Sequence, residues 1–78
     1  MNLIYAPTLT SARSFARGQD LMPGDWKWIN DGRVIHAYPR SDIYKLPGCG
    51  ANPHHDEIDA ALDQARSRHR LGSVYDYS

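Results

Sequence analysis

An unbroken apolar run close to the N-terminus constrains the fold of this chain most. The run Leu3-Ile4-Tyr5-Ala6 shows no polar alternation, which is typical of a strand covered on both faces. Pro7 ends the run because proline donates no hydrogen bond to a ladder, and Thr8 or Thr10 can cap a helix that begins there. We therefore expect a buried central strand that leads directly into a helix.

The helix after this strand is predicted to be amphipathic. Its buried side is predicted from apolar residues at helical spacing, which are Leu9, Ala12, Phe15 and Ala16. Gly18 predicts a left-handed stop at the C-terminal end. Parallel strands need a crossover connection, so we expect this helix to join the first strand to a parallel second strand.

The middle of the chain predicts a β-hairpin. Residues 26–30 alternate and place both indoles on one face, and residues 33–37 are rich in β-branched side chains. The Asp31-Gly32 pair between them suits the positive φ angles of a tight turn. Residues 42–46 predict a further short strand.

The last helix has the clearest boundaries in the sequence. Asn52 is a good N-cap residue, Pro53 suits the first helical position, and Gly72 predicts the end. The predicted buried face of the helix consists of Ile58, Ala61, Leu62, Ala65 and His69. Residues 73–78 predict either an edge strand or a frayed tail.

These elements predict the α/β class: one small domain over residues 1–78, with a single-layer mixed sheet of three to five short strands and two helices packed on it. The 78 residues leave no room for a deep, multi-lobed active site. Nine basic and nine acidic residues cancel, so no overall field attracts nucleic acid or a membrane. One cysteine and no apolar leader or span predict a soluble, intracellular protein without an internal disulfide.

A cluster of soft ligands before the last helix is the first candidate site. Cys49, His54 and His55 are residue types that zinc accepts, but a closed structural site needs four ligands and usually paired cysteines. The same residues also suit a Cys–His nucleophile pair, in which the helix N-terminus would lower the thiol pKa. Polar capping of the helix is the favoured interpretation, and we expect no metal, no cofactor and no enzymatic activity.

The second candidate site combines arginines with strand aromatics. Arg66, Arg68 and Arg70 lie near the end of the last helix, where they suit the helix dipole. Together with Trp26, Trp28 and Tyr44 they could form a stacking platform for single-stranded nucleic acid. Aromatic and arginine side chains are also enriched in protein interfaces, and a surplus of aromatics is hard to bury in so short a chain.

Two families resemble parts of the sequence. Residues 3–8 followed by residues 12–16 resemble the strand-Thr-helix that opens the second RecA-like lobe of superfamily 2 helicases. The arginine finger and the nucleotide-binding motifs of those helicases have no counterpart, so the resemblance does not imply ATPase activity. Most of the chain resembles small accessory proteins of actinobacterial tailed phages, of the mycobacteriophage type, in which a tryptophan-containing strand and a Leu-Pro-Gly turn recur, as in Trp26–Trp28 and Leu46-Pro47-Gly48.

The phage resemblance implies a protein that acts in the cytoplasm of an infected host. We therefore expect a non-catalytic protein that binds a host or phage macromolecule, most often a protein, and so modulates host growth. Pairing with a second copy through a sheet edge would be a related function. The alternatives are a nucleic-acid-binding module that uses the arginine cluster, and a metal-binding or thiol protein built on Cys49 and the two histidines.

Overall fold

The computed structural model describes residues 1–78 as a four-stranded parallel sheet with helices on both faces. In chain order the elements are β1 (Asn2–Tyr5), α1 (Leu9–Gly18), β2 (Trp26–Trp28), α2 (Arg33–Ala37), β3 (Asp42–Lys45), a 3-10 turn (Cys49–Ala51), α3 (His55–Ser67) and β4 (Val74–Asp76). The strand order is β2-β1-β3-β4, and each neighbouring pair is parallel. The expected α/β class is confirmed, although the sheet is not mixed.

Strand β1 occupies an interior position, as its apolar run predicts. Leu3, Ile4 and Tyr5 are almost completely buried, and β1 pairs with β2 on one side and β3 on the other. Helix α1 provides the predicted crossover from β1 to parallel β2. Successive residues of a strand point to opposite faces, so β1 supplies side chains to both layers of the core.

The two faces of the sheet carry separate apolar clusters. On one face Leu3, Tyr5 and Ile43 pack with Ile35 of α2 and with the buried side of α3. On the other face Ile4 and Ala6 pack against α1. Each fully buried large aliphatic side chain contributes about 1.5–3 kcal/mol, so both layers stabilise the sheet.

The predicted hairpin is wrong, because Arg33–Ala37 forms helix α2 rather than a strand. The Asp31 carboxylate accepts the backbone N–H of Arg33 at 2.8 Å in a turn just before the helix, whose N-cap residue is Gly32. Gly32 lets the helix approach α3, since an added Cβ would lie 3.2 Å from the Ala61 Cβ. Burial of Ile35 in the shared core outweighs the weak β preference of the segment.

Several predicted helix ends also differ from the structure. The Thr8 side chain caps α1, accepting the Ser11 backbone N–H at 3.1 Å as predicted, but Leu9 is 41% exposed. Gly18 is the last residue of α1 and is not left-handed, and Asp20 adopts the left-handed conformation instead. At the other end of the chain α3 finishes at Ser67, before the predicted stop at Gly72, and His69 is left-handed.

Two further features complete the fold. The tail forms the parallel edge strand β4 rather than a frayed end. Helix α3 begins at His55 with His54 as its N-cap residue, and the predicted cap Asn52 is instead a buried residue of the preceding loop. None of the helices has the length and apolar character needed to span a membrane.

Candidate functional site

The carboxyl ends of β1 and β3 form the first place to examine, because ligands of doubly wound sheets bind where the strand order reverses. Here the reversal lies between these two strands. Pro7 follows β1 and Gly48 follows β3, and a Cβ added to Gly48 would lie 3.8 Å from the Pro7 Cγ. The two loops are therefore in contact across this point.

The Asn52 side chain further closes the carboxyl edge. Its amide nitrogen donates to the carbonyl oxygens of Ala6 at 2.9 Å and Ile29 at 3.1 Å, and its amide oxygen accepts the His54 backbone N–H at 2.9 Å. All polar groups of this buried side chain are thus directed at protein. Pro7, Gly48 and Asn52 line neither of the two cavities of the protein.

The Cys49, His54 and His55 candidate is not assembled into a metal site. Cys49 is buried in the core between the sheet and α3. His55 Nε2 lies 3.0 Å from Asp56 Oδ1, and His54 Nδ1 lies 3.7 Å from Glu57 Oε2. No group of three or more His, Cys, Asp or Glu side chains is placed to hold a metal ion.

The surroundings of Cys49 do not favour the alternative in which its thiol is an activated nucleophile. Burial raises the pKa of Cys49, and this effect outweighs the favourable charge of Lys45. The nucleophile-pair alternative requires the opposite, a thiolate stabilised by the helix N-terminus. A buried thiol with a raised pKa is a poor nucleophile at neutral pH.

The arginine and tryptophan candidates lie on opposite faces of the sheet. Trp26 and Trp28 pack on the α1 face at the β2 edge, where the Trp28 indole N–H donates to the Ala6 carbonyl at 3.1 Å. Arg66 belongs to α3 on the other face, and Arg68 and Arg70 follow that helix as exposed residues. One ligand cannot contact all these side chains on a single flat surface.

Arg66 is also surrounded by carboxylates. It lines a cavity of about 230 Å³ between α3 and the β3–β4 side of the sheet. The other lining residues are Lys45, Asp59, Leu62, Asp63, Val74 and Asp76. Three acids against two bases do not favour a phosphate backbone at this position.

A continuous aromatic surface covers the other side of the β3–β4 pair. The Tyr44 and Tyr75 rings stack with centroids 5.0 Å apart and planes 18° apart. Phe15 of α1 lies 5.3 Å from the Tyr44 ring and 5.7 Å from the Tyr77 ring. We call Phe15, Tyr44, Tyr75 and Tyr77 the aromatic face.

The aromatic face is open to solvent. Tyr75 is 42% and Tyr77 51% exposed, whereas Phe15 and Tyr44 are half-buried. Helix α1 is the one helix on this side of the sheet, since α2 and α3 pack on the opposite side. Exposed aromatic side chains in contact with one another are typical of interaction surfaces.

The aromatic face adjoins an open sheet edge. Ile43 donates its N–H to the Ser73 carbonyl at 2.8 Å, and Tyr77 donates to the Lys45 carbonyl at 2.8 Å. Alternation along β4 therefore directs the backbone N–H and C=O groups of Val74 and Asp76 away from β3, toward solvent. Backbone groups of this kind are a template for another strand.

Sequence reasoning selected Tyr44 but missed Phe15, Tyr75 and Tyr77. The alternation of Tyr75 and Tyr77 indicates that both point to the same face of a strand. The face itself depends on the register Tyr44↔Tyr75, which a single sequence does not contain. Comparison with known proteins gives no family for this arrangement: no family model matches the chain, and no curated protein or solved structure matches it either.

Proposed function

We propose that this chain is a non-catalytic binding domain that takes up an extended segment of another protein along β4, beside the aromatic face. The observation that supports this proposal is the position of two features at one corner of the fold. The unpaired backbone edge of β4 and the exposed rings of Tyr75 and Tyr77 belong to the same three-residue strand and the residue after it.

Main-chain hydrogen bonds would supply the affinity. Val74 and Asp76 each present one N–H and one C=O on the open side of β4, so an added strand can form up to four bonds with them. Strand addition of this kind is a recurrent mode of peptide recognition. The edge at β2 suits it less, because Lys27 lies on that strand, exposed to solvent, and lysine discourages edge pairing.

Side chains of the added segment would supply the specificity. Alternate residues of a strand paired with β4 would lie next to Tyr75 and Tyr77, on the same face of the extended sheet. Aromatic and β-branched cross-strand pairs contribute about 0.2–1 kcal/mol each. We therefore expect a partner segment with apolar or aromatic residues at every second position.

The resemblance to phage accessory proteins adds a kind of partner and a cellular location to this proposal. The partner would be a host or phage protein in the cytoplasm of an infected cell, and its capture would modulate host growth. A second copy of the chain could use the same edge to form a homodimer. The nucleic-acid function is less favoured, because the arginine cluster lies on the face opposite Trp26 and Trp28.

Selection from a random peptide library tests the proposal. Peptides that bind the wild-type protein are measured against Val74→Pro, which removes one outward N–H while leaving the bonds to β3, and against Val74→Ala, which keeps that N–H. We expect V74P and Tyr77→Ser each to weaken binding about tenfold or more, and V74A to retain it.

Leu9→Ser is the matched control for loss of an exposed apolar side chain, since Leu9 is 41% exposed at the start of α1. It should leave peptide binding unchanged. Selected peptides that bind V74P and Y77S as tightly as wild type would overturn the proposal. Sedimentation equilibrium of the same variants would show whether a second copy uses this edge.

A further inference from the structure

We infer that a groove at the other end of the sheet is a binding site for an aromatic phosphate monoester. The groove has a volume of about 480 Å³ and lies between α1, the loop after it and the start of β2. Its lining consists of Arg13, Ala16, Arg17, Leu21, Pro23 and Trp26. This volume falls within the usual range for small-molecule sites.

The groove combines an apolar interior with positive charge. Ala16, Leu21 and Trp26 provide carbon surface, and no acidic side chain is part of the lining. Arg13 and Arg17 are one helical turn apart on α1 and form no ion pair within the protein. Both guanidinium groups are therefore available to an anion.

Charge and shape together select the ligand. Two guanidinium groups match the double negative charge of a phosphate monoester better than the single charge of a carboxylate. The indole of Trp26 is half-buried at the groove and offers a flat surface for an aromatic ring. A ring on Trp26 with its phosphate between Arg13 and Arg17 would satisfy both ends of the site.

The walls of the groove are held in place by backbone hydrogen bonds. Leu21 donates its N–H to the Ala16 carbonyl at 2.9 Å, which returns the loop across the end of α1. Asp25 donates to the Met22 carbonyl at 2.8 Å just before β2 begins. The backbone of the groove is thus ordered before a ligand binds, which lowers the entropic cost of binding.

Titration with phenyl phosphate and with adenosine monophosphate, followed by the indole N–H signals in ¹H–¹⁵N NMR spectra, tests this inference. We expect a saturable shift of the Trp26 indole with at least one of the two esters, and little change at Trp28, whose N–H is bonded to Ala6. Tighter binding of phenyl phosphate would identify a one-ring ligand, and tighter binding of adenosine monophosphate would identify a nucleoside ligand. Inorganic phosphate and adenosine should each bind at least about tenfold more weakly than the better ester.

Arginine variants distinguish ester binding in the groove from a general effect of positive charge. Arg13→Gln and Arg17→Gln should each weaken ester binding about tenfold, and Arg68→Gln, an exposed arginine outside the groove, should not. Absence of a saturable Trp26 shift at millimolar ester, or binding by R13Q and R17Q as tight as that of the wild-type protein, would overturn the inference. Val74→Pro should leave ester binding intact, so the proposals for the groove and for the β4 edge can be contradicted independently.

Discussion

The side-chain amide nitrogen of Asn52 lies 2.9 Å from the carbonyl oxygen of Ala6, a residue 46 positions earlier in the chain. The same nitrogen reaches the Ile29 carbonyl, so one side chain joins the loop after β3 to the ends of β1 and β2. This loop is the place where related topologies keep a ligand crevice open. In this protein the hydrogen bonds of Asn52 close that position, and the exposed aromatic and arginine side chains lie elsewhere on the surface.

Replacing Asn52 should destabilise the fold strongly. Asn52→Ala leaves the Ile29 carbonyl without this donor, whereas the Ala6 carbonyl keeps the Trp28 indole N–H. We expect a loss of about 1–3 kcal/mol in the free energy of unfolding, measured by chemical denaturation. Asn52→Asp should cost more at neutral pH because it places a carboxylate beside two carbonyl oxygens. Asn30→Ala, at an exposed position, is the control and should change stability little.

The contact between α2 and α3 depends on the absence of a side chain at Gly32. A methyl group there would lie 3.1 Å from Glu57 Cγ and 3.2 Å from Ala61 Cβ, closer than ordinary contact. Gly32→Ala should therefore lower the melting temperature, at a cost of about 1–3 kcal/mol.

Gly18→Ala is the matched control for the glycine substitution. Gly18 lies in α1 with nothing within 4 Å of an added Cβ. Removing glycine from a helix at such a position stabilises it by about 0.5–1 kcal/mol. Equal effects of the two substitutions would contradict the close approach of α2 and α3.

Stability should decline on the alkaline side of neutrality. Burial raises the pKa of the Cys49 thiol, so the folded state holds its proton more tightly than the unfolded state. Stability from this effect is present below the unfolded pKa of about 8.5 and is lost as pH rises through the folded pKa. Burial raises the pKa of Tyr5 in the same sense, which adds a further loss above about pH 10.

Denaturation curves of wild type and Cys49→Ala across this range check the alkaline effect. We expect C49A to be less stable at neutral pH, because it leaves a small cavity, and to lose less stability between about pH 8 and 10. The wild-type thiol should also react slowly with a thiol reagent until denaturant is added. Fast reaction in the native state would show that Cys49 is exposed.

Local sequence signals predicted β1, α1 and α3 because each has one dominant pattern. The apolar run of β1 and the cap at Thr8 required no knowledge of distant residues. Helix α2 could not be predicted in this way, since its β-branched residues are helical through contact with α3. The role of Asn52 could not be predicted for the same reason. Its place in the sequence is typical of a helix cap, but its side chain donates to the Ala6 and Ile29 carbonyls at the ends of β1 and β2.

The candidate surfaces were predictable in composition but not in position. Surplus aromatics indicated an exposed aromatic surface, and Tyr44 was selected for it. The register of β3 and β4 places Tyr75, rather than a tryptophan, against Tyr44. The arginines of the groove at Trp26 come from α1, because the parallel crossover brings that helix next to β2.

Amide hydrogen exchange of a complex with a selected peptide tests the proposed strand addition most directly. The Val74 and Asp76 N–H groups point away from β3, so we expect their exchange to slow about tenfold or more when the peptide binds. The Tyr77 N–H, already bonded to Lys45, should change less. Bound peptide with unchanged exchange at Val74 and Asp76, or with protection at Trp26–Trp28 instead, would contradict the assignment of β4 as the binding edge.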